Sequence, residues 1–187
     1  MPTRQKNSIL IVIDLINDII HTEGKIPSCA KYVEKYNVIE HVNKYIAEAR
    51  DSNIPIIHVK VAFSSNYLEL PKNSPIFKNA EKFQALKLGS WGTEFHKDVD
   101  VKDNDFILVK HRISSFYGTD LETVLRANKI DTLYIAGVST NMAVELTARE
   151  AHDRDYNIIV LSDACGSRTK ELHDFSLSII SGIAEVV

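Results

Sequence analysis

The sequence predicts an α/β domain of three layers, α/β/α, around a doubly wound, mainly parallel six-stranded sheet of Rossmann-like type. Three observations predict it. Short, continuous apolar runs rich in β-branched residues recur at 8–13, 54–59, 106–109, 132–136, 157–161 and 183–187, and such runs mark strands buried on both faces, as parallel strands are. Helical patterns at 33–52, 119–128, 142–154 and 170–181 fall between them, an alternation that builds a parallel sheet covered on both sides. Several runs also end in a charged residue or in small polar ones, as expected where the carboxyl edge of an open sheet holds a ligand.

The elements follow in order. SILIVI, at 8–13, is uncharged and stops at Asp14. Although a basic flank precedes it, the run is short and has no small-residue cleavage site, so it reads as a strand rather than a signal peptide. The pattern at 33–52 is a helix, and IPIIHV at 54–59 is the second strand. The segment 62–102 breaks the rhythm with Pro71, Pro75, Gly89, Gly92 and little periodicity; long irregular segments in compact domains serve as lids, substrate-binding loops or interfaces. FILV at 106–109 leads into Lys110, and TLYIA at 132–136 leads into Gly137-Val138-Ser139-Thr140-Asn141, after which a helix starts at Met142. NIIVL is the fifth strand, and the stretch 184–187 is strand-like; a usual C-terminal extension is expected to be missing.

Length and composition bound the function. With 187 residues and no compositional break, residues 1–187 read as one domain. Apolar residues at 44% and charged residues at 25% suit a soluble globular chain. A net charge of −3 leaves no basic footprint for nucleic acid. No stretch reaches the roughly 18–20 apolar residues of a membrane span. Cys29 and Cys165 stand far apart without a CxxC pattern, which reads as two free thiols in a cytoplasmic protein.

Three strand ends carry the candidate chemistry. Asp14 puts a carboxylate at the carboxyl edge of the sheet, or caps the next turn. Lys110 is either its charge partner or a surface lysine at a strand end. The junction from Gly137 to Ala143 is small enough for a ligand to approach backbone N–H groups at the positive end of a new helix.

Taken together and in this order, SILIVIDLINDI, VKHRISSFYGTDLETVL and IAGVSTNMAVELTAREAHDRDYNIIVLSDA resemble the isochorismatase-like hydrolases, a superfamily of isochorismatases, nicotinamidases and other amidases. The resemblance implies that Asp14 is the catalytic acid/base and Lys110 its partner. It implies a cis peptide at Val138-Ser139, with Thr140 in the same turn, that aims backbone N–H groups into an oxyanion hole. Ala143 falls where amidase-type relatives carry the nucleophilic cysteine, and a methyl group cannot attack a carbonyl. Cys165, one strand later, reads as a buried structural thiol.

Trp91, with Gly92-Thr93-Glu94, resembles a segment that shapes the pocket, and Phe116 and Tyr117 read as aromatic walls, with core packing as the alternative for each. With Val138, Ser139 and Thr140 they make up the substrate-binding set. Nicotinamidases carry Asp-x-His and a further His after the second strand, whereas this chain has HVKVAFSSNYLELPKN there. No metal site and no organic cofactor are expected. His96, His111 and His152 read as surface or supporting residues.

The function implied is hydrolysis of a small organic molecule by acid/base catalysis. True isochorismatases also lack the cysteine, because vinyl ether hydrolysis needs only a proton delivered to carbon and a water to capture the cation. That role asks Asp14 to hold a pKa above the ordinary ~3.9 through burial, against the lowering effect of Lys110. The alternatives are a non-catalytic member that binds a small molecule or serves assembly, and an amidase whose cysteine was replaced at Ala143. The resemblance also implies a homo-oligomer, a dimer or tetramer.

Overall fold

The computed structural model describes residues 7–187. β1 (Ser8–Ile13) has every residue buried, and period-two alternation divides it between two cores. Ile9, Ile11 and Ile13 pack with Leu121 and Leu125 of α5 (Leu121–Ala127), Ala148 and Ala151 of α6 (Glu145–His152), and Ile180 of α7 (Lys170–Ile180). Leu10 and Val12 pack on the other face with Tyr32 and Val33 of α2 (Ala30–Lys35) and with Val42, Ile46 and Ala49 of α3 (Val38–Asp51). A strand sandwiched in this way must be apolar throughout, which is why its sequence shows no polar alternation.

The remaining strands are β2 (Ile56–Val61), β3 (Phe106–Lys110), β4 (Thr132–Val138), β5 (Asn157–Gly166) and β6 (Glu185–Val186). All pairings are parallel, in the order β3-β2-β1-β4-β5-β6. The chain winds outward from β1 through β2 to β3, then returns to the far side of β1 with β4. The switch point therefore lies between the carboxyl ends of β1 and β4, where open sheets leave a crevice. At this seam Gly137 has φ +118°, and a Cβ there would lie 2.1 Å from the Ile13 carbonyl oxygen, so glycine is required.

Several boundaries differ from the sequence expectation. The helix expected over 33–52 is two helices, broken where Asn37 adopts φ 52°; asparagine tolerates this left-handed conformation and lets α2 and α3 diverge. β2 begins and ends two residues later than expected, so Lys60 lies within it rather than at its end. β5 runs five residues past Leu161, because a register shift opposite Ile135 and Gly137 lets the strand continue through exposed Asp163 to buried Cys165 and Gly166.

The excursion after β2 contains only α4 (Ala80–Phe83) and a 3₁₀ turn at Trp91–Thr93, with α1 (Asn17–Ile20) beside it. It has its own small core, in which Phe63, Tyr67, Leu70, Phe77 and Leu86 pack with Ile16 and Val61. Buried Asp18 ties it down, accepting hydrogen bonds from Lys25 N at 3.1 Å and Leu86 N at 2.6 Å. Among the described residues no helix is long and apolar enough to cross a membrane.

Candidate active site

Asp14 follows the last residue of β1 with φ 56°, which turns its side chain across the sheet edge while its N–H still reaches Val59 O at 2.8 Å. Its Oδ1 accepts from Val61 N at 2.8 Å, and its Oδ2 accepts from Lys110 Nζ at 2.7 Å. Lys110 ends β3, two strands away, and reaches past β2 to make this contact. Its ammonium also donates to Arg112 O at 3.2 Å and Ile113 O at 3.1 Å. An ammonium has three protons, and all three are engaged by the protein. Lys110 is thus a fixed positive charge that orients Asp14, and the spare lone pairs at the site are those of the Asp14 carboxylate.

The pair is buried, with side-chain exposures of 2% for Lys110 and 5% for Asp14. Burial pushes the Asp14 pKa above its ordinary 3.8, and the Lys110 charge and hydrogen bonds only partly offset that. A carboxyl so placed can hold a proton at pH values where an exposed aspartate cannot.

Across the switch point, β4 ends in a cis peptide between Val138 and Ser139. A π-helical turn, Thr140–Val144, follows and runs directly into α6. Ser139 O accepts from Met142 N at 3.0 Å and Val144 N at 3.2 Å, closing the turn. Side chains brace it from behind. Thr140 Oγ1 bonds His173 Nδ1 at 2.8 Å, Ser176 Oγ donates to Thr140 O at 3.1 Å, and Ser167 Oγ donates to Asn141 Oδ1 at 2.6 Å.

Asp14, Lys110, Ser139 and Ala143 line one cavity of about 570 Å³. The other expected binding residues are placed differently. Val138 is buried in the core, and Thr140 faces His173, so both support the turn without lining the cavity. Trp91, Phe116 and Tyr117, expected as its walls, sit elsewhere in this structure. Trp91 packs edge-on against His21 at 5.0 Å, Phe116 is a core residue beside Tyr156, and Tyr117 is 63% exposed; none lines the cavity.

The walls come from Ile76 and Phe83 of the excursion, Asn141 and Met142 of the turn, Arg168 just before α7 and Leu172 in its first turn. The sequence does not point to Arg168, because the apolar run of β5 breaks after Leu161. Carried to Gly166, the strand puts Arg168 at its carboxyl end, the same signal that singled out Asp14 and Lys110. Cys29, which the sequence shows only as a free thiol, has its buried Sγ 3.2 Å from Ser139 Oγ, a pairing across 110 positions that no local pattern announces.

The cysteines are free and buried, and burial pushes the Cys165 thiol up to about 12, so it has no nucleophilic character. His58, which stands in the stretch where nicotinamidases have their metal ligands, lies inside β2 with Nε2 3.2 Å from Asp105. Among the described residues no three His, Cys, Asp or Glu side chains are grouped to hold a metal ion.

A buried acid–lysine pair facing a braced strand-to-helix turn, both at the switch point, defines a small-molecule site on a doubly wound α/β protein. Comparison with known proteins names the family. The Isochorismatase domain family matches residues 8–187, and the chain belongs to this family of hydrolases. It is 33% identical to the isochorismatase family protein YecD of Escherichia coli O157:H7 over 175 residues, covering 94% of this chain and 88% of that protein. It is 28% identical to the ureidoacrylate amidohydrolase RutB of Acinetobacter baylyi, covering 86% of this chain and 71% of RutB. Among solved structures, N-carbamoylsarcosine amidase from Thermoplasma acidophilum superposes with a TM-score of 0.74 at 28% identity, covering 97% of this chain and 95% of that one.

Proposed function

We propose that this protein hydrolyses a small organic molecule by acid/base catalysis at Asp14, with water rather than a protein side chain as the nucleophile. The observation that carries the reading is the Asp14–Lys110 pair, buried in the same cavity as Ala143. The acid and its charge partner are in place, while the position facing them offers only a methyl group, so no acyl-enzyme can form on Ala143.

For a vinyl ether the step runs as follows. The protonated Asp14 carboxyl gives its proton to the terminal vinyl carbon, leaving an oxocarbenium cation. Water adds to that cation and returns a proton to Asp14, and the resulting hemiketal breaks into a carbonyl compound and an alcohol. Lys110 steadies the Asp14 carboxylate while it is without its proton. The turn at Val138-Ser139 supplies backbone N–H groups as an oxyanion hole for oxygen that gains negative charge.

Ala143 supports a second reading, a member that binds its small molecule without turnover. Incubation with a panel of vinyl ethers, amides and ureido compounds, followed by mass spectrometry, separates the two. Product that disappears in Asp14→Asn supports hydrolysis. Saturable binding with no product from any class supports the binder.

A further inference from the structure

The cavity wall has a character that the acid–lysine pair does not explain. Ile76, Phe83, Met142 and Leu172 all line it, and each is 39–48% exposed. Beneath them, Val61, Phe77, Ala80 and Leu86 form a buried apolar floor. Large apolar side chains left half in water around one opening mark a surface that something apolar covers. The cavity also holds a second cation. Arg168 lines it and is exposed, and no acceptor among the described residues pairs with its guanidinium. It stands one residue before the Thr169 cap of α7, four residues from Leu172 on the same wall. The excursion contributes Ile76 and Phe83 to the apolar lining.

We propose that the substrate is an amphipathic organic anion: an anionic head at Arg168 and an apolar tail against Ile76, Phe83, Met142 and Leu172. This rests on the hydrolase reading for its reacting bond, which is the one presented to Asp14 in the same cavity. A guanidinium recognises a carboxylate or phosphate through paired N–H donors. The tail gains binding by taking those four side chains out of water. The volume fits: about 570 Å³ lies within the range of pockets that enclose drug-sized molecules, and a compound of a few heavy atoms would leave most of the apolar wall wet.

The test measures binding by calorimetry on the intact protein, so it does not depend on turnover. Three probes are compared: N-octanoylglycine, its neutral amide, and N-acetylglycine. The expected result is that N-octanoylglycine binds at least ten-fold more tightly than either of the others. Arg168→Gln should bring acid and amide within about two-fold while keeping the chain-length preference. Phe83→Ser should cut the chain-length preference and keep the preference for acid.

Equal affinity for octanoyl and acetyl acids overturns the tail, and equal affinity for acid and amide in the unmodified protein overturns the head. If Phe83→Ser instead converts an oligomer to monomer in sedimentation without ligand, the apolar rim is a contact between copies of this chain and the proposal fails. Tight binding of N-octanoylglycine with no hydrolysis of any panel compound keeps this proposal and removes the hydrolase reading. Hydrolysis of short polar substrates alone does the reverse.

Discussion

Lys110 Nζ lies 2.7 Å from Asp14 Oδ2 although the two residues are 96 positions apart and their strands are separated by β2. Removing one member of a buried pair leaves the other charge without compensation, at a cost of about 3–5 kcal/mol. Lys110→Met is therefore expected to destabilise the protein strongly at neutral pH. The sign with pH is specific. Without Lys110 the Asp14 pKa rises further above 3.8, so the protonated acid is tolerated at low pH and the penalty grows as pH rises through that pKa. Urea unfolding at two pH values measures it, and the double variant with Asp14→Asn should recover much of the loss at neutral pH.

Turnover should follow the same group. If Asp14 acts as the acid, the rate is present below its raised pKa and falls as pH increases through it. Asp14→Asn should lower kcat by at least about 100-fold, the lower end of what a general acid contributes, measured at a temperature where the variant is folded, because the buried Lys110 ammonium loses its counter-charge and stability falls too. A rate that rises across the same pH range would show that Asp14 works as a base.

Ala143→Cys distinguishes ancestry from adaptation. In a water-using acid catalyst the new thiol should leave the rate unchanged or reduce it through crowding. In an amidase that lost its nucleophile it should create amide hydrolysis, with an acyl-enzyme visible as added mass and blocked by iodoacetamide. Both native thiols, Cys29 and Cys165, are buried at 1% exposure, so alkylation of the folded variant should add one label per chain.

His58 makes folding stability depend on mildly acid pH. It is fully buried, and Asp105, its neighbour, is shared with Arg50 at 2.6 Å. Burial pulls the His58 pKa below 6.5 despite Asp105. The unfolded chain therefore binds protons that the folded one refuses, and stability falls as pH drops below about 6.5, by up to about 1.4 kcal/mol per pH unit. His58→Leu should flatten that slope between pH 6.5 and 5. Part of it should remain, because His96 and His173 are shifted in the same direction.

Gly137→Ala should be among the most damaging single changes, costing about 4 kcal/mol, because its Cβ would meet Ile13 N at 2.6 Å as well as the Ile13 carbonyl oxygen. Gly182→Ala, where the nearest atom is 3.4 Å away, is the matched control and should be nearly neutral. Comparable melting temperatures for the two would contradict this account of the β1–β4 seam.

Fold and site were legible to different depths. The central strands can be read because strands buried on both faces must be uninterrupted apolar runs, and the edge strands β3 and β6, though partly exposed, lie in short apolar runs as well. Asp14 and Lys110 stood out because each is the first charge after such a run. What could not be read depends on packing over long separations. Phe116 and Trp91 are aromatic like pocket walls, yet one fills the core against Tyr156 and the other leans on His21. The end of β5 is not legible because its irregular register breaks the apolar pattern at Ser162 and Asp163. The excursion shows no helical or strand period because a cluster around Phe63 and Tyr67, anchored by Asp18, orders it rather than a repeating backbone pattern.

That cluster shares none of its fully buried side chains with the two cores that flank the sheet. The wall bearing Ile76 and Phe83 is consequently modular. Substitutions and length changes between roughly positions 64 and 84 can reshape what the cavity accepts while the parallel strands, and the Asp14–Lys110 pair on their edge, stay as they are. Specificity and chemistry in this chain can diverge at different rates, because they are built on different foundations.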